Sequence, residues 1–170
     1  MDLAATIRNI PDFPKEGIMF RDITTLLKNP QAYRELIDRM AETVKDLHVE
    51  LVIGPEARGF VIGSALAYAI GAGFIVARKP GKLPCKTNRY EYGLEYGTDV
   101  LEVHEDAIKP GQRVAIVDDL LATGGTALAT AKLVQQAGGI VVAVRFAIEL
   151  EELNGRDTLK DYNVDSVMVF

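Results

Sequence analysis

The sequence predicts an α/β protein with a Rossmann-like parallel sheet covered by helices on both faces. Three observations predict it. Short runs at 51–53, 74–77, 114–117, 140–148 and 164–169 are apolar almost throughout, as strands buried on both faces are. Segments with helical spacing separate them. Three loops that leave strand ends carry Gly, Arg, Lys, Asp and Thr, and ligands bind beyond the carboxyl ends of such strands.

Taken in order, residues 1–9 are expected to form a short helix stopped by Pro11 and Pro14. Asn29-Pro30 starts a second helix, with Asn as cap and Pro at the first helical position. Ala32, Leu36, Ile37, Met40, Val44 and Leu47 recur at helical spacing and carry it to about residue 46. A strand at 51–53 ends at Gly54-Pro55, a helix rich in small residues covers 59–70, and a strand covers 74–77. Tyr90, Tyr92, Leu94 and Tyr96 then alternate with Arg89, Glu91, Gly93 and Glu95, so 87–104 reads as a two-stranded arm turning near Gly97. After a turn at Lys109-Pro110-Gly111 come a strand at 114–117, a helix at 126–137, a strand at 140–148 and a last strand at 164–169. The stretch before that strand reads as a polar, irregular connection. No repeat or linker divides the chain, so residues 1–170 are expected to form one domain.

Composition narrows the function. The apolar fraction, 48%, suits a globular core, and a net charge of −5 argues against a general nucleic-acid binder, which needs a basic face. Cys85 is the single cysteine, so neither an intrachain disulfide nor a thiolate metal cluster is available; it reads as a free loop thiol rather than a nucleophile. The N-terminal segment has no apolar signal core, and no apolar run approaches the ~18 residues of a membrane span. The expected location is the cytoplasm.

The stretch VAIVDDLLATGGTAL at 114–128 carries the chemistry. Gly124 and Gly125 let the backbone turn tightly, Thr123 and Thr126 add hydroxyls, and a helix N-terminus follows: together, from Ala122 to Thr126, a site for one phosphate. The bland alternative is a capped strand-to-helix turn with Thr126 as N-cap. Asp118 and Asp119 decide between them. Beside a phosphate they would repel it, so they need another partner, either a metal or a pair of vicinal hydroxyls, as on a ribose bearing a 5-phosphate. The Walker and dinucleotide signatures are both missing. Residues 78–89 contain Arg78, Lys79, Lys82, Lys86 and Arg89 and no acid, a local reversal of the chain's charge that suits a second anion.

VAIVDDLLATGGTA resembles the phosphoribosyl-pyrophosphate (PRPP) motif of type I phosphoribosyltransferases, in particular those that use adenine. IPDFPKEGIMFRDIT, GPEARGF, ARKPGKLP, LEYGTDVLEVH and ELEELNGRDTL are similar to segments of the same family, in order, over nearly the whole chain. The resemblance implies a type I fold with a small N-terminal hood (about 1–30) and a flexible arm (about 87–104). It implies transfer of the phosphoribosyl group of PRPP to adenine, giving AMP and pyrophosphate, with Mg²⁺ held mainly by PRPP, in a homodimer. By the same resemblance Asp118 and Asp119 bind the ribose hydroxyls, and Ala122 to Thr126 hold the 5-phosphate. Glu56, Ala57 and Arg58, with Arg78, Lys79 and Lys82, receive the pyrophosphate, and Glu56-Ala57 is a cis peptide. Glu95 is the general acid/base, and Tyr96 helps the arm close. Phe20 stacks on adenine while the backbones of Met19 and Arg21 read its edge. Enzymes for 6-oxopurines usually carry a Lys in the strand after the PRPP loop; here that strand has Arg145 and no Lys. The alternatives are a 6-oxopurine or xanthine phosphoribosyltransferase, and a PRPP-binding regulator without turnover.

Overall fold

The computed structural model describes residues 1–94 and 97–170. Its centre is a five-stranded, wholly parallel sheet of β3 (Leu51–Pro55), β4 (Gly73–Ala77), β7 (Arg113–Leu121), β8 (Ile140–Glu149) and β9 (Val164–Val169), in the order β4-β3-β7-β8-β9. From β3 the chain goes one way, through α3 (Arg58–Ile70) to β4, and from β7 the other way, through α4 (Gly125–Gln136) to β8. The strand order therefore reverses between β3 and β7. In open α/β sheets a crevice opens above the carboxyl ends of strands at such a point, and that is where ligands bind.

The expected core is present on both faces. Ala115 and Val117 of β7 pack with Ile62 and Leu66 of α3, and with Leu36 and Met40 of α2 (Pro30–Glu42). Val114 and Ile116 pack on the other face against Ala131, Leu133 and Val134 of α4. Each of the larger side chains, fully buried, contributes roughly 1.5–3 kcal/mol relative to exposure. Asn29 caps α2 as its sequence predicts, accepting from the Gln31 and Ala32 N–H groups at 3.1 Å each.

The arm is the antiparallel pair β5 (Thr87–Leu94) and β6 (Gly97–His104). Among the described residues no helix is long and apolar enough to cross a membrane.

The N-terminal helix expected over 1–9 is not formed. A single 3₁₀ turn at Ala4–Thr6 leads into β1 (Arg8–Ile10), which pairs antiparallel with β2 (Phe20–Asp22); α1 (Thr24–Leu27) follows. One turn cannot offset helix nucleation on its own. Leu3 and Ile7 are buried in the core instead, and the register sets Arg8 opposite Asp22. Asp22 accepts from the Thr24 Oγ1 at 2.7 Å, the Thr24 N–H at 2.9 Å and the Arg8 Nε at 2.9 Å. The Thr24 hydroxyl first, then Arg8, lowers its carboxyl from the usual 3.8 to about 2.

A depressed carboxyl stabilises the fold above its unfolded value and loses that contribution as pH falls through the folded one. Wild type should therefore lose about 1–2 kcal/mol between pH 4 and 2 through this group, the Arg8 side being solvent-screened. Asp22→Ala should lower stability at pH 7 and flatten that acid limb. Urea unfolding at a series of pH values measures both.

Candidate active site

β7 does not stop at the two carboxylates. Its ladder with β8 runs on through Asp118↔Phe146 and Leu120↔Ile148 to Leu121↔Glu149, so the polar pair sits inside a strand. The chain then turns at Gly124, whose φ is +86°, and α4 begins at Gly125. Gly124, not Thr126, is the N-cap, and no side chain caps the helix. Its first N–H groups are thus available to an anion. Ala122, Thr123, Gly124, Gly125 and Thr126 line a cavity of about 90 Å³ with Asp118.

A second element supports this loop from behind. Thr158 in α5 (Gly155–Thr158) donates its hydroxyl to the Thr123 carbonyl at 2.7 Å. Gly155 lies so close to the Ala122 carbonyl and Leu121 that a Cβ there would collide with both. Bidentate Arg156–Glu149 contacts at 2.7 and 2.8 Å clamp α5 to the end of β8. Residues 149–163, expected as an irregular connection, instead carry a 3₁₀ turn at Glu151–Leu153 and α5, which braces the loop. The signal was the Asn-Gly pair at 154–155, where Asn154 adopts φ +53°.

The carboxylates have separate partners. Asp119 pairs with the Arg58 guanidinium at the start of α3. Asp118 accepts the Asp119 N–H at 2.8 Å and faces the loop cavity. Gly59 lets α3 approach this closely, since a Cβ there would lie 3.0 Å from Asp118 Oδ1 and 2.9 Å from Pro55. Burial first, and the Asp119 carboxylate second, push the Asp118 carboxyl well above its ordinary range. Asp119 in turn raises Arg58 and keeps it cationic.

The loop after β3 contains the cis peptide Glu56–Ala57, at the position the resemblance implies. Glu56 Oε1 accepts the Lys79 N–H at 2.7 Å and lies 3.3 Å from Arg78 Nε, so its carboxylate ties this loop to the one after β4. Lys79 Nζ pairs with Asp99 on β6. Lys82 is exposed and forms no ion pair among the described residues. The structure thus gathers Arg58, Arg78 and Lys79 at the strand ends, each beside a carboxylate.

Across the loop from Ala122 to Thr126 lies the arm. The Tyr92 hydroxyl is 3.3 Å from Asp99 Oδ2 and 3.5 Å from Thr126 Oγ1, and Tyr90 and Tyr92 pack on the α4 side of the core. Arm and loop enclose a hollow of about 430 Å³ lined by Tyr90, Tyr92, Gly93, Thr123, Gly125 and Thr158. Glu95 and Tyr96 lie outside the described residues.

The expected base-binding segment spans the start of β2. Phe20 meets Phe13 edge-on, with centroids 5.1 Å apart, and Met19 is largely exposed. Arg21 donates to Asn9 at 2.6 Å and stacks 4.4 Å over Phe170. Arg145 lies apart from the site: it is buried and braces Thr43 Oγ1 at 2.8 Å and the Asn163 carbonyl at 2.6 Å. Among the described residues no group of three or more His, Cys, Asp or Glu side chains is placed to hold a metal.

Comparison with known proteins agrees with this geometry. The phosphoribosyl transferase domain matches residues 22–169. An adenine phosphoribosyltransferase of Alkaliphilus metalliredigens is 59% identical over 170 residues, all of both chains. The crystal structure of adenine phosphoribosyltransferase from Thermoanaerobacter pseudethanolicus superposes with a TM-score of 0.96 at 53% identity, covering 99% of this chain and 98% of that one. The Saccharomyces cerevisiae enzyme, solved with an imino-altritol bisphosphate and adenine, has a TM-score of 0.92 at 38% identity, covering 98% and 96%. With its strand-borne acidic pair, its glycine loop at the sheet's switch point and end-to-end similarity of this strength, the chain belongs to the adenine phosphoribosyltransferase family of type I phosphoribosyltransferases.

Proposed function

We propose that this chain joins adenine to PRPP at the crevice between β3 and β7, giving AMP and pyrophosphate, with each part of PRPP held by a different loop. The cavity of about 90 Å³ at the uncapped start of α4, with Asp118 on its rim, carries the reading. Ala122 to Thr126 bind the 5-phosphate, and Asp118 and Asp119 accept hydrogen bonds from the ribose hydroxyls. Arg58, Arg78, Lys79 and Lys82 receive the pyrophosphate, with Glu56-Ala57 shaping their loop. As the bond from ribose C1 to pyrophosphate breaks, positive charge grows on the sugar, and two fixed carboxylates beside it stabilise that charge. Mg²⁺, held mainly by PRPP itself, would when bound offset the charge of the leaving pyrophosphate.

Adenine sits against Phe20, between the backbones of Met19 and Arg21, which match its amino donor and ring acceptor. The adenine present in the solved yeast relative supports this choice of base. Glu95 handles the proton on the purine ring, and Tyr96 helps the arm exclude water. Glu95→Gln should lower kcat more than it raises KM for either substrate; wild-type turnover would remove Glu95 from the mechanism. Assaying adenine, hypoxanthine, guanine and xanthine with PRPP and Mg²⁺ tests the whole assignment. Adenine should be the substrate turned over; activity confined to a 6-oxopurine would overturn it.

The working unit is a homodimer in the cytoplasm. Support comes from an apolar hollow of about 480 Å³ on α2 and α3, where Tyr33, Ile37, Ala65, Tyr68 and Ala69 meet and Tyr68 is 91% exposed. Arg34 and Asp38 border it one helical turn apart, so a second copy related by a two-fold axis can set opposite charges together. Because α3 also carries Arg58 and Gly59, this contact supports the site. Tyr68→Asp should convert the dimer to monomer by sedimentation and raise KM for PRPP several-fold. A free, exposed Cys85 suits a reducing compartment.

A further inference from the structure

We propose that Asp99 competes with pyrophosphate for Lys79, holding it in an ion pair that the incoming pyrophosphate group must displace. The proposal rests on reading Lys79 as a pyrophosphate contact.

Three cations gather at the strand ends, and each already has a carboxylate: Arg58 has Asp119, Arg78 has Glu56 and Lys79 has Asp99. The first two pairs are internal to the loops and sheet that carry the site. The third reaches out of it, because Asp99 stands on β6 of the arm. Arg78 meets β6 through its backbone, bonding Glu102 in both directions, whereas Lys79 is tied to the arm by its charged group itself.

The surroundings suit an exchange of partners. The Lys79 backbone is fixed by the bond from its N–H to Glu56, so the ammonium alone needs to move, on a flexible four-carbon stem. That side chain is 43% exposed, which leaves it room. Asp99 is held independently, since its Oδ1 accepts the Val100 N–H at 2.9 Å. Its other oxygen keeps the Tyr92 hydroxyl when Lys79 leaves, and Tyr92 also reaches Thr126 in the phosphate loop. Lys79 holds the Asp99 carboxyl below its ordinary range, so Asp99 stands as a carboxylate at neutral pH. Pyrophosphate, with several negative charges, outcompetes one carboxylate for the ammonium but loses part of its binding energy in doing so.

Asp99→Asn keeps the shape and the oxygen that accepts the Val100 N–H while removing the charge; its amide nitrogen can donate to the Tyr92 oxygen in place of the bond that Tyr92 now donates. In the full chain with Mg²⁺, calorimetry should show pyrophosphate binding tightened about two- to five-fold, the range of a partly exposed ion pair. KM for PRPP should fall in step, with KM for adenine unmoved. Asp99→Glu should stay near wild type. Lys79→Met should weaken pyrophosphate binding and cancel the effect of Asp99→Asn in the double variant. Unchanged or weaker pyrophosphate binding by Asp99→Asn, with an unaltered melting midpoint, overturns the proposal. Unchanged binding by Lys79→Met instead removes the underlying assignment of Lys79, and the proposal with it.

Discussion

Asp118→Asn should lower kcat/KM for PRPP by about 10²–10³-fold while making the protein more stable at neutral pH. The two effects share one cause. Burial and the Asp119 carboxylate raise the Asp118 carboxyl well above its ordinary range, so the ligand-free fold resists charge at that atom. A carboxyl raised in the folded state contributes its stability below the unfolded value of 3.8, and that contribution is lost as pH rises through the folded value. Asparagine retains the oxygen that accepts the Asp119 N–H and has no charge to lose. The melting midpoint of the variant should therefore match wild type near pH 4 and exceed it at pH 8. On the role proposed for Asp118, catalysis moves the opposite way, because a carboxylate stabilises positive charge that an amide does not. Such opposition is common where a site is strained for function. A melting difference that ignores pH would mean the Asp118 carboxyl is not raised; unchanged kcat/KM would remove it from the ribose site.

The parts of this molecule legible in the sequence are those governed by local pattern. The apolar runs that became β3, β4, β7, β8 and β9 were visible because strands buried on both faces are apolar whatever their order. The phosphate loop was visible because Gly124 and a helix start are adjacent in sequence. What remained hidden depends on distant residues meeting. Asp118 to Leu121 extend β7 because β8 offers a ladder to pair with, and the polarity of the two Asp residues had suggested an earlier end. β1 exists only as the partner of β2, ten residues on, so its three residues carried no signal of their own. The ion pairs of Arg58 with Asp119 and Lys79 with Asp99 join residues 61 and 20 apart, and neither could be read from charge counts. The basic segment 78–89 suggested free positive charge; in the fold, two of its members are already neutralised.

The loop glycines supply the sharpest structural test, because sequence treats Gly124 and Gly125 alike and the fold does not. Gly124→Ala should destabilise the protein by about 2–3 kcal/mol, of which the left-handed backbone accounts for roughly 1–2. Its φ is +86°, and a Cβ there would lie 2.8 Å from the Gly155 carbonyl and 3.1 Å from Thr158 Cβ. Those atoms belong to the α5 segment that supports the loop, so relief requires α5 to move, and with it the Thr158 bond to the Thr123 carbonyl. The cavity lined by Ala122 to Thr126, proposed for the 5-phosphate, should lose its shape, and KM for PRPP should rise at least ten-fold. Gly125 has an ordinary φ, and its Cβ would meet nothing nearer than Tyr92 at 3.9 Å. As the first residue of α4 it should accept alanine with no loss of stability, and with a gain of up to about 1 kcal/mol from helix propensity. Thermal unfolding of the two variants, side by side, separates backbone demand from glycine content. Equal destabilisation would show that the loop requires two small residues, rather than one left-handed turn braced by α5.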